Sequence, residues 1–271
     1  MMKLPTALTI AGSDSGGGAG IQADLRTFAF HLVHGSSAIT CITAQNTLGV
    51  DRVDALPPEA VQAQIKAVVE DIGVHGVKTG MLLNAGIIEA VADSLAALSS
   101  PALVVDPVMV SRTGAQLIDD SAIASLQSRL LPLATLITPN RYEAQILSGL
   151  EITNLDEMQK AARTIYDLGG MTVLVKGGGM TGDCRGVDVW FDGDRLEILK
   201  TEVVDTPNTH GTGCTLSAAI AANLAQGQDV LSAAIAAKQY VTTALHHALD
   251  IGQGTGPVGH FFPLLRITND Q

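Results

Sequence analysis

Short runs of β-branched and apolar residues alternate along this chain with longer segments of helical periodicity. The alternation begins near residue 7 and continues to about residue 179. Parallel strands need a crossover connection, which is usually a helix, so this rhythm favours a parallel sheet with helices on both faces. We therefore predict an α/β protein with three layers, α/β/α, a mainly parallel central sheet and right-handed crossovers.

The same patterns place the individual elements. Strands are predicted at 7–12, 36–45, 74–81, 102–109, 135–140 and 171–179, and helices at 20–34, 58–73, 84–98, 119–133, 141–148 and 155–168. Two later strand-like runs flank Asp192 and Gly193, a residue pair that favours a tight turn, and they predict a late β-hairpin. Helices at 212–226 and 229–249 follow, and the absence of a linker or repeat predicts one domain over residues 1–271.

Composition narrows the class of partner. With 46% hydrophobic residues and a mean hydropathy of +0.29, the chain can bury a substantial core. Its net charge of −11 argues against binding to nucleic acid or an anionic membrane, so a small molecule is the expected partner. Three cysteines cannot form a fully paired disulfide framework, and no signal peptide or membrane span is recognisable, which together predict a cytoplasmic protein.

Glycine and polar residues are concentrated where the predicted strands end. In open α/β sheets ligands bind beyond the carboxyl ends of the strands, so these residues are the candidates for a site. They are 12–18, 45–46, 80–81, 106–109, 140, 176–179 and 208–214.

Two glycine-rich loops were compared with known phosphate-binding patterns. The loop after the first strand matches neither the P-loop nor the dinucleotide fingerprint, and a flexible turn with helix capping is its alternative interpretation. Gly177, Gly179 and Gly182 spell G-x-G-x-x-G, but a hairpin follows them instead of a helix, so a hydride-transfer cofactor is rejected. Lys176 fits either a phosphate contact or a solvated lysine at a strand end.

The stretch HGTGCTLSAAIAANLA, residues 210–225, is the better candidate for an anion site. Gly211 and Gly213 let the backbone bend so that amides at a helix start point towards one spot, where the helix dipole adds its attraction. The same field would favour the thiolate of Cys214 and lower its pKa. The alternative interpretation is a small buried cysteine that packs the helix against the sheet.

Carboxylates also follow the predicted strands. Asp106 ends a continuously apolar strand, and Asn140 and Glu143 lie three residues apart at a helix start. Such hard oxygen ligands suit Mg²⁺, although a capping box by itself explains the Asn140 and Glu143 spacing. Asp24 and Gln45 could line one edge of the crevice, where a carboxylate and an amide would complement an aminopyrimidine.

The histidines do not form a recognisable metal-binding set. His246 and His247 are adjacent and diverge on a helix, and no H-E-x-x-H motif exists. His210 is interpreted as a loop residue and not as a ligand.

The strand-end motifs together resemble one known family. In the order TIAGSDSGGGAGIQADL, TAQNT, KTGM, VVDPVM, TPNRYEA, VKGG and NTHGTGCTLSAAIAANLA, they are similar to the hydroxymethylpyrimidine and phosphomethylpyrimidine kinases of thiamine biosynthesis, within the ribokinase-like superfamily. The resemblance covers about residues 6–250. It implies ATP-dependent phosphorylation of 4-amino-5-hydroxymethyl-2-methylpyrimidine to its monophosphate and then, at the same site, to the diphosphate.

The resemblance also implies roles for individual residues. Cys214 would occupy the catalytic-base position, and the backbone from Gly211 to Gly213 would receive phosphoryl charge. The pyrimidine, the nucleotide phosphates and Mg²⁺ would be held by three sets of residues: Gly12, Asp24, Gln45, Met81 and Val108 for the pyrimidine; Asn140, Lys176 and Thr212 for ATP; and Asp106 and Glu143 for the metal environment. A homodimer is implied in the same way.

One departure from the family pattern and two alternative functions stay open at this point. The segment 109–118 matches the family's flap less closely, although Arg112 keeps a positive charge that could meet the monophosphate. A pyridoxal or pyridoxine kinase shares the G-T-G-C motif and the same chemistry on a ring hydroxymethyl group. A noncatalytic pyrimidine-binding protein of the same fold is the alternative from a different class.

Overall fold

The computed structural model describes residues 4–98, 101–109 and 118–268, with side chains up to residue 265. Within these residues, nine strands form one sheet. They are β1 Thr6–Asp14, β2 His34–Gln45, β3 Val50–Ala55, β4 Gly76–Thr79, β5 Ala102–Val105, β6 Leu136–Ile137, β7 Thr172–Val175, β8 Val187–Phe191 and β9 Leu196–Lys200.

The strand order is β3-β2-β1-β4-β5-β6-β7-β8-β9. The six strands from β2 to β7 in this order pair in parallel, whereas β3, β8 and β9 pair antiparallel with their neighbours. The predicted parallel sheet and the late hairpin are therefore confirmed. Asp192 and Gly193 lie in the hairpin turn, where Gly193 has a φ of 98°, which favours glycine.

Helices cover both faces of the sheet. They are α1 Gly20–Phe30, α2 Pro58–Asp71, α3 Ala85–Ala96, α4 Asp120–Ser125, α5 Arg141–Ser148, α6 Leu155–Tyr166, α7 Thr212–Ala225, α8 Val230–His246 and α9 Phe262–Thr268. One hydrophobic core joins the sheet to α2, α3, α4, α5 and α6, and a second joins the opposite face to α1, α7 and α8. Two cores on opposite faces confirm the three-layer architecture.

Small residues let α7 pack closely. Its buried side chains include five alanines, at 218, 219, 221, 222 and 225, and α8 contributes four more at 233, 234, 237 and 244. Short side chains allow two helices and the sheet to approach one another without voids. The position of α7 is consequently fixed by packing along most of its length, and so is the position of its N-terminus.

Four element predictions differ from the structure. The helix predicted at 119–133 is α4 followed by a π-helical turn at Leu126–Leu130 and a 3-10 turn at Leu131–Leu133, because Pro132 lacks an N–H and its ring clashes with the preceding turn. Strand β3 was missed, since all six of its residues are exposed and it has no buried face to produce an alternating pattern. Helix α9 was also missed, and α1 ends at Phe30, four residues earlier than predicted.

In the described part of the chain, no helix is both long enough and apolar enough to span a membrane. All three cysteines are free thiols.

Candidate functional site

The register of the parallel strands brings their carboxyl ends level. Ile10 pairs with Thr79, Thr79 with Val105, and Val105 with Ile137. The residues that follow these positions therefore lie side by side at one edge of the sheet. This arrangement gathers the residues that the sequence singled out after β1, β4, β5 and β6.

Asp106 and Lys176 form an ion pair at the centre of this edge. The Lys176 ammonium donates to Asp106 Oδ1 over 2.9 Å, and the Ser217 hydroxyl on α7 donates to Asp106 Oδ2 over 3.2 Å. Burial would raise the pKa of Asp106, but the ammonium groups of Lys176 and Lys78 outweigh it and hold the pKa below its ordinary value. Lys176 has a side chain that is only 13% exposed, so it is not the solvated lysine of the alternative interpretation.

Glu143 reaches the same centre from the start of α5. The Asn140 side chain accepts from the Glu143 N–H over 3.0 Å, and the Glu143 carboxylate accepts from the Asn140 N–H over 2.8 Å, so the capping box is present. Burial raises the pKa of Glu143 to about 8; the Lys176 charge opposes this rise and the Asp106 charge adds to it. The capping box and a place beside Asp106 and Lys176 are thus compatible.

These carboxylates were tested as a metal environment. No group of three or more His, Cys, Asp or Glu side chains suited to a metal ion occurs among the described residues. Mg²⁺ is usually held by one or two carboxylates together with substrate phosphates and water. Asp106 and Glu143, both nearly inaccessible to solvent, fit that role but would not make a cage without the phosphates.

The N-terminus of α7 faces the ion pair. Gly211 is the N-cap residue with a φ of 81°, and a Cβ atom there would overlap the carbonyl oxygen of Gly18, so only glycine fits. A Cβ atom at Gly213 would lie 3.3 Å from Lys176 Nζ and 3.8 Å from Asp106 Oδ2. The first amides of α7, which lack intrahelical partners, are therefore next to a lysine ammonium group. Thr212 begins the helix, and its hydroxyl donates to the Thr209 carbonyl over 2.6 Å.

Cys214 lies in the first turn of α7, but its thiol is not activated in the way that the helix field suggested. Burial raises the pKa of Cys214 to about 11. The ammonium of Lys78 opposes this rise, while the carboxylates of Asp24 and Asp106 add to it. The expected lowering of the pKa is therefore wrong for the ligand-free protein, in which Cys214 is a neutral thiol at physiological pH.

Asp24 and Lys78 form a second ion pair, which lies inside the protein. Both side chains are 0% exposed, Lys78 Nζ donates to the two Asp24 oxygens over 3.0 and 2.8 Å, and Thr9 donates to Asp24 over 2.6 Å. Burial alone would lower the pKa of Lys78, but the carboxylate of Asp24 outweighs it and raises the pKa. Asp24 therefore presents no solvent-exposed surface in this structure and accepts from Lys78 and Thr9, and its contact with the pyrimidine stays a prediction.

Lys78 was overlooked at the sequence level. It occupies the third position of β4, where the strand pattern predicts a core side chain, and nothing in the pattern shows that its partner is Asp24 on α1. A buried lysine is rare unless it is paired, so Lys78 within an apolar strand was the one available signal.

The remaining candidates lie at the other end of this edge. A Cβ atom at Gly12 would be 2.9 Å from Met81 Cε, so Gly12 and Met81 are in direct contact. Val108 is half-buried two residues after Asp106, and its N–H donates to the Asp106 carbonyl over 2.9 Å. Gln45 is also half-buried, and its side-chain Nε2 lies 3.3 Å from Nε2 of the His210 ring.

Asp14 and His210 lie within the candidate ranges 12–18 and 208–214, but the sequence predicted no individual role for either. His210 Nε2 lies 2.9 Å from Asp14 Oδ2, and Asp14 also accepts from the backbone N–H groups of Gly16, Gly18 and Ala19 over 2.8 to 3.0 Å. His210 is therefore not a simple loop residue, since it joins the first glycine loop to the start of α7. Arg112 and the flap residues 110–117 lie outside the described residues.

Comparisons with known proteins match nearly the whole chain. The family model for phosphomethylpyrimidine kinase matches residues 14–259. The hydroxymethylpyrimidine/phosphomethylpyrimidine kinase of Synechococcus elongatus is 64% identical over 263 residues, which cover 97% of this chain and 100% of that protein.

Solved structures show the same fold. A pyridoxal kinase of Bacillus subtilis, solved as an ADP complex, superposes with a TM-score of 0.89 at 40% identity, covering 97% of this chain and 100% of that one. A phosphomethylpyrimidine kinase of Clostridium difficile gives a TM-score of 0.80 at 42% identity, covering 90% of this chain and all of that one. On the family match and the identity to its relatives, the chain belongs to the phosphomethylpyrimidine kinase family.

Proposed function

We propose that the protein phosphorylates 4-amino-5-hydroxymethyl-2-methylpyrimidine with ATP, first to the monophosphate and then, at the same site, to the diphosphate. The observation that carries the proposal is the position of Cys214 at the N-terminus of α7. The neighbouring Gly213 lies beside the Asp106–Lys176 ion pair, and His210, just before α7, lies 3.3 Å from the side-chain nitrogen of Gln45. Family membership supplies the chemistry that this layout suits.

Phosphate recognition falls to the basic side of the site. Lys176 supplies a charge, and the N-terminus of α7 at Gly213 lies beside it, which suits the transferring phosphoryl group, although the Thr212 N–H already donates to the Thr209 carbonyl over 3.3 Å. Asn140 and Thr212 flank this region and would contact the nucleotide. Asp106 and Glu143 would hold Mg²⁺, which supplies charge neutralisation between the phosphates when it is bound.

The role of Cys214 follows from its neutral thiol. Phosphoryl transfer has a loose transition state in most descriptions, so the substrate hydroxyl loses its proton late and a strong base is not needed at the start. Cys214 would then align the hydroxyl and, as the new bond to phosphorus forms, take up its proton while its own thiol proton passes to an oxygen of the transferred phosphoryl group. Most of the rate enhancement comes from alignment and from the charges of Lys176 and the helix amides.

The first experiment is a substrate panel with product identification. Steady-state kcat/KM is measured for the aminopyrimidine, its monophosphate and pyridoxal, and products are identified by mass spectrometry. We expect both pyrimidines to be phosphorylated. Failure on the monophosphate would remove the second step, and tight pyrimidine binding without ATP turnover would indicate the noncatalytic alternative.

The second experiment tests Cys214. In Cys214→Ala we expect kcat to fall about 100-fold or more while the Kd for the pyrimidine changes less than about threefold, because the thiol acts on the reacting hydroxyl. Cys184→Ala is the matched control, since this half-buried cysteine lies in the turn after β7. An unchanged kcat in Cys214→Ala would exclude its catalytic role.

Pyridoxal kinase activity is the second candidate function. It is favoured by the likeness to the Bacillus subtilis pyridoxal kinase at 40% identity over nearly the whole of both chains. The two functions are separated by the ratio of kcat/KM values in the same panel, and a ratio in favour of pyridoxal would reverse the assignment.

We further propose that residues 1–271 act as one domain within a cytoplasmic homodimer. The continuous sheet from β3 to β9 and the two cores on its faces support the single domain. Sedimentation equilibrium of the intact chain measures the oligomeric state, and a monomer at micromolar concentration would contradict the dimer.

A further inference from the structure

His210, Gln45, Thr43 and Asp14 form a connected hydrogen-bond network at the pyrimidine end of the site. His210 Nε2 is 2.9 Å from Asp14 Oδ2 and 3.3 Å from Gln45 Nε2. The Thr43 hydroxyl is 2.9 Å from the Ser13 carbonyl oxygen and 3.1 Å from Gln45 Oε1. Counting the hydrogens in this network fixes which way the Gln45 amide must point.

The count begins at Asp14. Its carboxylate accepts from three backbone N–H groups. Burial would raise the pKa of Asp14, but the hydrogen bonds from His210 and the backbone outweigh it, so the pKa is lowered. A carboxylate can only accept, so His210 Nε2 must carry the hydrogen. That nitrogen then has no lone pair left, and it cannot accept from the side-chain nitrogen of Gln45. The group of Gln45 that faces His210 must be an acceptor.

The Thr43 hydroxyl independently requires the same orientation of the Gln45 amide. A hydroxyl has one hydrogen, and the carbonyl of Ser13 is the nearer acceptor. The Thr43 oxygen is left as an acceptor for Gln45, so the group of Gln45 that faces Thr43 must be a donor. A half-turn of the amide, which leaves its shape almost unchanged, satisfies both ends together.

We propose that His210 is a positioning residue that, held by Asp14, fixes the Gln45 amide with its carbonyl towards the imidazole and its NH₂ towards Thr43. An amide has two N–H groups and two carbonyl lone pairs. Thr43 takes one N–H, and one carbonyl lone pair faces the His210 Nε2–H, which it shares with Asp14, the nearer acceptor at 2.9 Å. One N–H and one lone pair are left for a ligand. Together they match a ring nitrogen beside an exocyclic amino group, in one orientation of the aminopyrimidine only.

This inference rests on the proposed function, because it assigns the ligand edge of Gln45 to the pyrimidine. Without His210 the Gln45 amide can turn over, and in the reversed orientation its NH₂ group faces the amino group of the pyrimidine, so that two donors meet. We expect His210→Leu to lower kcat/KM for the pyrimidine about tenfold through KM, with kcat and the KM for ATP nearly unchanged. His210→Gln, which retains a side-chain N–H donor, should recover most of the loss.

A double-mutant cycle separates positioning from a structural role. The Kd of the aminopyrimidine is measured by calorimetry without ATP for the wild type, His210→Leu, Gln45→Ala and the double variant, with the exposed His34→Leu as a control for histidine loss. We expect His210→Leu to raise Kd about tenfold when Gln45 is present and less than about twofold when it is absent. Equal losses in both backgrounds, or no loss in Gln45→Ala, would overturn the inference.

The cycle also distinguishes this inference from the proposed function. If the wild type binds the pyrimidine but does not phosphorylate it, the proposed function fails and the Kd cycle still decides the role of His210. If it phosphorylates the pyrimidine and the two substitutions are additive, only the role of His210 fails. If it does not bind the pyrimidine, both are wrong.

Discussion

Replacing Lys78 by methionine tests the buried ion pair beneath the site. The ammonium contacts both oxygens of Asp24 over 2.8 and 3.0 Å, and neither side chain is exposed to solvent. In Lys78→Met the Asp24 carboxylate would keep the hydrogen bond from Thr9 but lose its counter-ion. An uncompensated buried charge is one of the few changes that destabilise a protein severely.

Two routes give the same magnitude for this loss. Two unit charges about 4 Å apart attract by about 4 kcal/mol at an effective dielectric constant of about 20. Removing one partner of a buried pair typically costs about 3–5 kcal/mol. We therefore expect the free energy of unfolding to fall by about 4 kcal/mol, which corresponds to a drop in Tm of about 8–16 °C for a chain of this size.

The assay is urea denaturation followed by circular dichroism, with calorimetry for Tm. Lys66→Met is the matched control, since Lys66 pairs with Glu70 over 3.7 Å in a contact where the side chains are 71% and 66% exposed, and little change is expected there. Lys78→Met combined with Asp24→Asn should recover at least half of the loss, because the stranded charge is gone. The reasoning is refuted if Lys78→Met unfolds within about 1 kcal/mol of the wild type, or if the double variant is no more stable than the single one.

Three further predictions concern other parts of the same region. Because the pKa of Cys214 is raised to about 11, its alkylation by iodoacetamide should accelerate about tenfold per pH unit above about pH 8. The rate is measured on the Cys214 peptide by mass spectrometry. A rate that is already maximal at pH 7 would contradict the neutral thiol. Gly211→Ala should lower the free energy of unfolding by on the order of 3 kcal/mol, because residue 211 has a positive φ and a Cβ atom there would overlap the Gly18 carbonyl oxygen. Gly178→Ala, where a Cβ atom meets open space, should leave it nearly unchanged. Equal effects of the two substitutions would refute the steric argument. Burial lowers the pKa of His260 to about 4, so between about pH 6.5 and pH 4 the unfolded chain binds a proton at this residue that the folded chain does not. The free energy of unfolding should therefore fall by about 3 kcal/mol from above pH 6.5 to pH 4. His260→Gln should remove that part of the pH dependence in urea titrations, and an unchanged dependence of the unfolding free energy on pH would contradict the burial argument.

Much of the fold could be predicted from the order of strand-like and helical segments. Parallel strands end at one edge, so the residues after β1, β4, β5 and β7 could be assigned to one region before their contacts were known. Strand β3 could not, because all of its residues are exposed and its pairing with β2 leaves no periodic trace. The break in the helix after α4 has a visible cause in Pro132, but only packing decides that the chain continues as π and 3-10 turns.

The side-chain partners in the site were less accessible to sequence reasoning. Lys78 and Asp24 are 54 residues apart, and Asp14 and His210 are 196 apart, so no local spacing relates the members of either pair. Residue type gave a partial signal for Lys78, as a lysine within an apolar strand. It gave none for His210, whose role depends on a carboxylate and an amide from two other loops.

The thiol of Cys214 shows why magnitudes decide where two correct principles conflict. A helix N-terminus favours an anion by roughly 0.3–1 kcal/mol, which is less than one pKa unit. Removing a charged group from water can shift a pKa by several units in the opposite direction, and here two nearby carboxylates add to that shift. Lys78 and a backbone hydrogen bond from Gly20 counteract them, and the charge of Lys78 is already shared with Asp24. The helix field at Cys214 is therefore better suited to receiving a phosphoryl group than to ionising the cysteine. In the proposed mechanism the Cys214 thiol must consequently give up its own proton during the transfer in order to accept the proton of the substrate hydroxyl.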